Sequence, residues 1–226
     1  MAEPRRLVDL DDPPGASGLK HGVSAVDKDC GRGVSGWSHQ LKPDGYADAV
    51  RETVSVSGFM VQARSMLSGG VSEDTLRAVG RLLGDVSRET GFVQEREMRA
   101  LHGADSSFTV LQTDPDGLTL MLARFSPDEE TPVHDHGSWG VACVVKGRDR
   151  YRHWALREDG RLRLLYEMEL EAGSFVTWLD PPLDIHSQQG IGEDALELVL
   201  FGKNVTTIPR HYYDSTTGEA RTALPR

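Results

Sequence analysis

The sequence predicts an all-β sandwich or barrel of jelly-roll type, mainly β with N-terminal helices packed outside, and three observations carry that expectation. After about Ser106 the chain breaks into short runs rich in β-branched and aromatic residues. Turn sequences separate them: DPDG, SPDEE, REDG, EAGS and DPPLD. Two runs, GVACVVKG and ALELVLFG, are almost wholly apolar and suit strands buried on both faces, whereas RLRLLYEMELE and SFVTWL alternate. About ten short strands with regular turns imply a closed β architecture.

Taken in order, residues 1–43 are rich in Gly, Asp, Pro and Ser without periodicity and read as a poorly ordered or draped N-terminal arm. Residues 44–105 read as a helical segment. Tyr46 to Leu67 permits helix, although the Val, Ser and Gly of TVSVSGF disfavour it. SEDTLRAVGRLLGDVSRETG is a sharper case: Ser72 caps it, Glu73 and Asp74 sit in the first turn, and Gly91 ends it. Leu76, Val79, Leu83 and Val86 form one apolar stripe, so this helix needs a partner surface. A shorter helical piece, QEREMRAL, follows. The barrel takes residues 106–213 and a C-terminal tail takes 214–226.

With 226 residues, 38% hydrophobic and 27% charged, the chain supports one principal domain. A formal charge of -10 and a pI near 5.2 argue against a nucleic-acid partner, which needs clustered Lys and Arg. No apolar run reaches the eighteen or so residues of a membrane span. MAEPRRLVDLDDPPGASG lacks the apolar stretch of a signal peptide, so no membrane is expected and the cytoplasm is the expected compartment. Cys30 and Cys143 form no CxxC pair and read as reduced thiols, which leaves His and carboxylates to hold any metal.

TPVHDHGSWG offers such ligands. On an extended strand His134 and His136 project from one face roughly 7 Å apart. His186, in DPPLDIHSQQG, lies fifty residues after His136 near the start of another expected strand. Three neutral imidazoles converging inside a barrel bind Fe(II), Zn(II), Ni(II) or Cu(II), and the ligands alone do not choose among these. His153 and His211 fall within the barrel but in no ligand motif, and His21, His39 and His102 fall outside it. Trp139 and Trp178 read as core or barrel-mouth packing, and EDGRLRLLYEMELE as a solvated hairpin.

From His134 through His136 to Gly147 the spacing resembles the first cupin motif, in which HxH is followed by three residues, usually Glu, six residues and Gly. Gly140 stands where that Glu would be. Gly173, Pro181 and His186 match the second motif loosely. More closely, TPVHDHGSWGVACVVKG with DIHSQQ resembles the thiol dioxygenases, the cysteine dioxygenase and 3-mercaptopropionate dioxygenase family, over roughly residues 107 to 213. The resemblance implies a cupin barrel in which His134, His136 and His186 hold Fe(2+), and a reaction that takes a thiol and dioxygen to a sulfinic acid. Three neutral ligands leave the ion its full charge, which draws a thiol towards its thiolate. A missing carboxylate at Gly140 leaves room for a bidentate ligand plus oxygen.

The likeness lapses at the family's Ser-x-His-x-Tyr run. Aligned through the Phe-Gly-x-Asn of ALELVLFGKNV, those positions hold Glu197, Val199 and Phe201, which alternation keeps on one face. The crosslinked tyrosine and cysteine of mammalian cysteine dioxygenase match Phe201 and, with one gap, Gly140, so no crosslink forms. GKNVTTIPR resembles the family's GANIG followed by an Arg, which places Arg210 where a guanidinium meets a substrate carboxylate through two parallel hydrogen bonds. Glu197 reads either as a solvent-facing strand-edge charge, the favoured version, or as an inward group for a substrate ammonium. Arg210, Glu197 and Phe201 are thus the candidate substrate-binding residues.

The expected function is a mononuclear non-haem iron dioxygenase acting on the sulfur of a small carboxylated thiol, cysteine first, with dioxygen as cosubstrate. The lost run opens a second course, oxidative tailoring of cysteine to a sulfonamide or related sulfur-nitrogen product in secondary metabolism. Outside enzymes, the alternative is a non-catalytic small-molecule-binding cupin.

Overall fold

The computed structural model describes residues 23–24, 55–89, 92–93 and 107–224. In chain order these form β1 (Val23–Ser24), α1 (Val56–Leu67), α2 (Glu73–Ser87), β2 (Phe108–Thr113), β3 (Thr119–Phe125), β4 (Val133–His134) and β5 (Gly140–Lys146). There follow β6 (Arg148–Leu156), β7 (Leu162–Glu171), β8 (Phe175–Trp178), β9 (His186–Gly190), β10 (Ala195–Phe201), β11 (Arg210–Tyr213) and β12 (Ala220–Ala223).

Two six-stranded antiparallel sheets result, ordered β1-β8-β5-β10-β3-β2 and β12-β11-β4-β9-β6-β7. The eight strands from β3 to β10 are dealt to the sheets as β3, β10, β5, β8 and β4, β9, β6, β7, which is jelly-roll order. The expected fold class is the one observed. Eleven strands, not ten, follow Ser106. The extra one is β12: it pairs with β11 from Arg210 opposite Ala223 to Tyr213 opposite Ala220, so the expected tail extends the sheet past residue 213.

Alternation explains the two apolar runs. On β10, Leu196, Leu198 and Leu200 pack with the helices, while Val199 and Phe201 join Met121, Ala142 and Trp178 inside the barrel. β5 divides in the same way, with Val141 and Cys143 outward and Ala142 and Val144 inward. β8, expected to be half-exposed, is buried at all four residues because helices cover its outer face.

The helices begin as their sequences demand. The Ser55 side chain accepts from the Gly58 amide at the start of α1. Ser72 and Thr75 form a reciprocal capping box on α2, with Glu73 and Asp74 in its first turn. The part of the expected Tyr46–Leu67 helix before residue 55 lies outside the described residues, as do Gly91 and the QEREMRAL piece. Helix α2 ends at Ser87 with Arg88 as its cap, short of Gly91, and beyond it Phe92 and Val93 return to the same core. Leu76, Val79, Leu83 and Val86 are all buried, at roughly 1.5 to 3 kcal/mol for each such side chain. Arg64 of α1 pairs with Asp114 and Asp116 and ties that helix to the β2–β3 turn.

Of the short N-terminal arm, Val23–Ser24 pairs with Thr177 and Trp178 of β8; the rest lies outside the described residues. Where α2 crosses β8, Gly80 sits on the Phe175 ring, and a Cβ there would come within 2.4 Å of it. Gly80→Ala should therefore destabilise the fold by about 1 to 3 kcal/mol despite the better helix propensity of alanine, as read by urea denaturation.

Candidate metal centre

Strand pairing brings the three histidines together. His134, the last residue of β4, lies directly opposite His186, the first residue of β9, and His186 lies opposite His153 of β6. His136 falls two residues beyond β4, so the sheet cannot position it; side chains from residues 178–184 do. Asp184 accepts the backbone N–H groups of His136 (2.9 Å) and Gly137 (2.8 Å). Asp180 accepts that of Trp139, and the Trp178 indole donates to the Ser138 carbonyl. From the other side Asp135 accepts the His211 backbone N–H at 2.9 Å, its imidazole at 2.7 Å and the Tyr213 hydroxyl at 3.1 Å.

The ligand atoms of His134, His136 and His186 all lie within 4.8 Å of one another, and all three residues are buried. His134 Nδ1–H donates to the Pro132 carbonyl at 2.8 Å and His186 Nδ1–H to the Asp184 carbonyl at 2.9 Å, which fixes the tautomers with Nε2 free to bind. The Nε2 atoms of His136 and His186 are 3.3 Å apart. Two nitrogens about 2.1 Å from one shared ion at a near-tetrahedral angle would be about 3.4 Å apart, so the donor set fits a metal ion.

Electrostatics agree with that use. Burial first, and then Arg210 nearby, push the His134 pKa down to about 4. Burial and the neighbouring histidines depress His136 and His186 well below the usual range. All three imidazoles are neutral at pH 7, the form that binds metal. The other two barrel histidines stand apart: His153 stacks on Tyr166 and His211 is half-exposed beside Asp135.

Gly140 explains itself here. A Cβ at that position would lie 2.2 Å from the Trp178 ring, so an indole fills the space where the cupin motif carries a carboxylate. The room expected at Gly140 is not open. It lies instead in a cavity of about 320 Å³ whose walls include the histidines with Arg210, Gln188, Tyr212, Met121, Val199 and Phe201. Phe201 pairs across the sheet with Gly140, and its ring centroid is 4.6 Å from that of His136. Arg210, from β11, is buried; its Nε has no hydrogen-bond partner among the described residues, and desolvation pulls its pKa down.

Glu197 overturns the favoured expectation. It is 0% exposed and points into the barrel, but it stops short of the cavity. Gln188 stands between, donating to Glu197 Oε2 at 2.8 Å and to Asp149 Oδ2 at 3.1 Å. Burial raises both acid pKa values, and each acid raises the other's cost of ionising. Asp149, Gln188, Asp184 and the packing role of Trp178 against Gly140 escaped sequence reasoning. Period two was the available signal for Gln188, since it follows His186 by two residues.

No family model matches the sequence, and no curated protein sequence matches it. Solved structures that the chain resembles include an RmlC-like cupin protein from Ralstonia eutropha JMP134, at 19% identity over 51% of this chain and 64% of that one, TM-score 0.37. Another is a cupin 2 conserved barrel domain protein from Leptotrichia buccalis, at 16% identity over 42% and 39%, TM-score 0.33. A third is the DMSP lyase DddQ from Ruegeria pomeroyi DSS-3, at 17% identity over 45% and 48%, TM-score 0.34. The chain spans less than two thirds of each. The jelly-roll assignment rests on the strand order given above.

Two outcomes follow from this geometry. His186→Ala should lower metal affinity by more than the roughly 10- to 100-fold that loss of a supporting partner costs, read as metal content per folded chain after dialysis. The buried acids bear on stability. Their folded pKa values lie above the unfolded ones, so the folded state holds more protons and stability falls as pH rises from the ordinary carboxyl range through the raised values. The Asp149→Asn, Glu197→Gln double variant should therefore gain on the parent by more than about 1 kcal/mol between pH 5 and pH 8, in urea unfolding of the metal-free proteins.

Proposed function

We propose that the protein is a mononuclear iron enzyme that oxidises the sulfur of a small carboxylated thiol, with cysteine as first substrate and dioxygen as oxidant. The observation that carries the proposal is Arg210: a buried guanidinium, in one cavity with three neutral histidines, whose Nε meets no described acceptor. A buried cation is costly unless an anion pairs with it, and a planar carboxylate matches its fork.

Fe(II) held by His134, His136 and His186 would supply the place where the thiol loses its proton and dioxygen is reduced, giving RSO₂H from RSH and O₂ with both oxygen atoms retained. The chain's own residues do the rest. Arg210 takes the carboxylate and so sets which end of the substrate faces the histidines. Trp178, Phe201, Met121 and Val199 make the adjoining wall apolar and limit water there. Asp184 and the Asp135–His211 pair keep the His136 loop from moving. Phe201 offers no hydroxyl, but Tyr212 lines the same cavity and stacks on His134 with centroids 6.0 Å apart, so a phenol from β11 is available where β10 lacks one.

Oxygen-electrode traces of the iron-loaded protein with cysteine, 3-mercaptopropionate and cysteamine, followed by mass spectrometry, test the proposal. Stoichiometric uptake with sulfinate from a carboxylated thiol is the expected result; thiol binding without uptake would mark a non-catalytic protein. Arg210→Ala should weaken cysteine and 3-mercaptopropionate by the 2 to 5 kcal/mol typical of losing a desolvated charge pair, tens- to thousands-fold, and leave cysteamine nearly unchanged. Equal losses for all three would overturn the carboxylate role.

A further inference from the structure

Resting on the thiol proposal, we infer that the cavity contains a hydrocarbon subsite formed by β2, β3 and β10, and that the preferred substrates are carboxylated thiols larger than cysteine that carry an alkyl or aryl group.

The two sheets line the cavity with different chemistry. From the sheet of β4, β9 and β11 come His134, His186, Gln188, Arg210 and Tyr212. Arg221, at the rim, belongs to the same sheet and lies against the Tyr212 ring. From the other sheet, every side chain that β2, β3 and β10 bring is apolar: Phe108, Met121, Ala123, Phe125, Val199 and Phe201. A thiol at the histidines and a carboxylate at Arg210 are both anchored on the polar side. Whatever else the substrate carries is left facing the apolar one.

That apolar wall is longer than cysteine. Phe201 stands at its metal end, with its ring centroid 4.6 Å from that of His136. Val199 pairs with Met121 and Glu197 with Ala123, so Ala123 lies four residues along from Phe201, about 14 Å at roughly 3.4 Å per residue. Phe108 pairs with Ala123 and widens the wall at that level. Cysteine has only two carbons between its sulfur and its carboxylate, too few to cover both ends. Volume agrees: about 320 Å³ falls within the roughly 300 to 1,000 Å³ of cavities that enclose drug-sized ligands. Side chains of the described residues leave part of the wall open. Phe108, Ala123 and Phe125 are half-buried, and Leu224, which lines the same cavity, is 56% exposed. Apolar surface left open on a concave wall, continuous with polar anchors, marks the place of a ligand's hydrocarbon.

The test compares 3-mercaptopropionate with 2-benzyl-3-mercaptopropionate, which keeps the thiol and the carboxylate and adds only hydrocarbon. Cobalt(II)-loaded protein reports both by thiolate-to-metal charge-transfer absorption. The benzyl compound should bind about ten- to a hundredfold more tightly, the range for burying an aromatic side chain. Two variants locate the gain: Ala123→Phe fills the subsite, and Phe108→Ser, on the edge strand, strips its wall. Each should cut the gain severalfold, in protein shown to be folded by circular dichroism. Equal binding of the two thiols by the parent, as another part of this chain or a second copy seated on the wall would give, overturns the inference and leaves the thiol proposal standing. An undiminished gain in both variants puts the hydrocarbon elsewhere and overturns it too. Calorimetry with propionate and 3-phenylpropionate separates the two proposals. Tighter binding of 3-phenylpropionate, with no charge transfer from either thiol, overturns the thiol proposal and leaves the hydrocarbon subsite.

Discussion

The cross-strand pairing of His134 with His186 is the contact on which the centre depends. It joins a two-residue strand to a five-residue one, and those strands carry side chains separated by more than fifty positions in the chain. So short a strand cannot also hold His136. Three aspartates therefore fasten the loop that follows, each accepting backbone N–H groups that would otherwise lie unpaired. Moving β4 by one residue would send His134 to the opposite face, so register and metal geometry are one constraint.

Charge is layered along the barrel. Neutral imidazoles occupy the middle, with guanidinium at one side and a carboxyl pair behind Gln188 on another. Each layer is held by burial against the tendency of its groups to be solvated, and each is satisfied only in part by the protein itself: Arg210 Nε, Asp149 Oδ1 and Glu197 Oε1 have no described partner. Polar groups left in this condition inside a packed barrel mark where a fold gives up stability for recognition.

Much of this was legible in the sequence, and the reasons are local. Leu76, Val79, Leu83 and Val86 follow the helical period, and the apolar runs of β5 and β10 announced strands covered on both sides. His134, His136 and His186 were legible because metal ligation imposes residue type and spacing together. The carboxyl pair was not. Glu197 finds Asp149 across 48 positions of chain, and the general rule that charges avoid interiors pointed the other way. The end of α2 and the pairing of β12 were missed because each is settled by what packs against it rather than by residue preference.

Trp178 and Gly140 constrain how this site can change over evolutionary time. The indole covers the glycine so closely that no side chain can appear at position 140 while the ring stays. A carboxylate ligand there requires two substitutions, and the tryptophan must shrink first, at the cost of an apolar wall and of its bond to the Ser138 carbonyl. Neither step alone is useful, so descendants of this sequence are trapped with three nitrogen donors: the pair acts as a ratchet, and donor number becomes an inherited property even where cavity walls such as Phe201 remain free to vary.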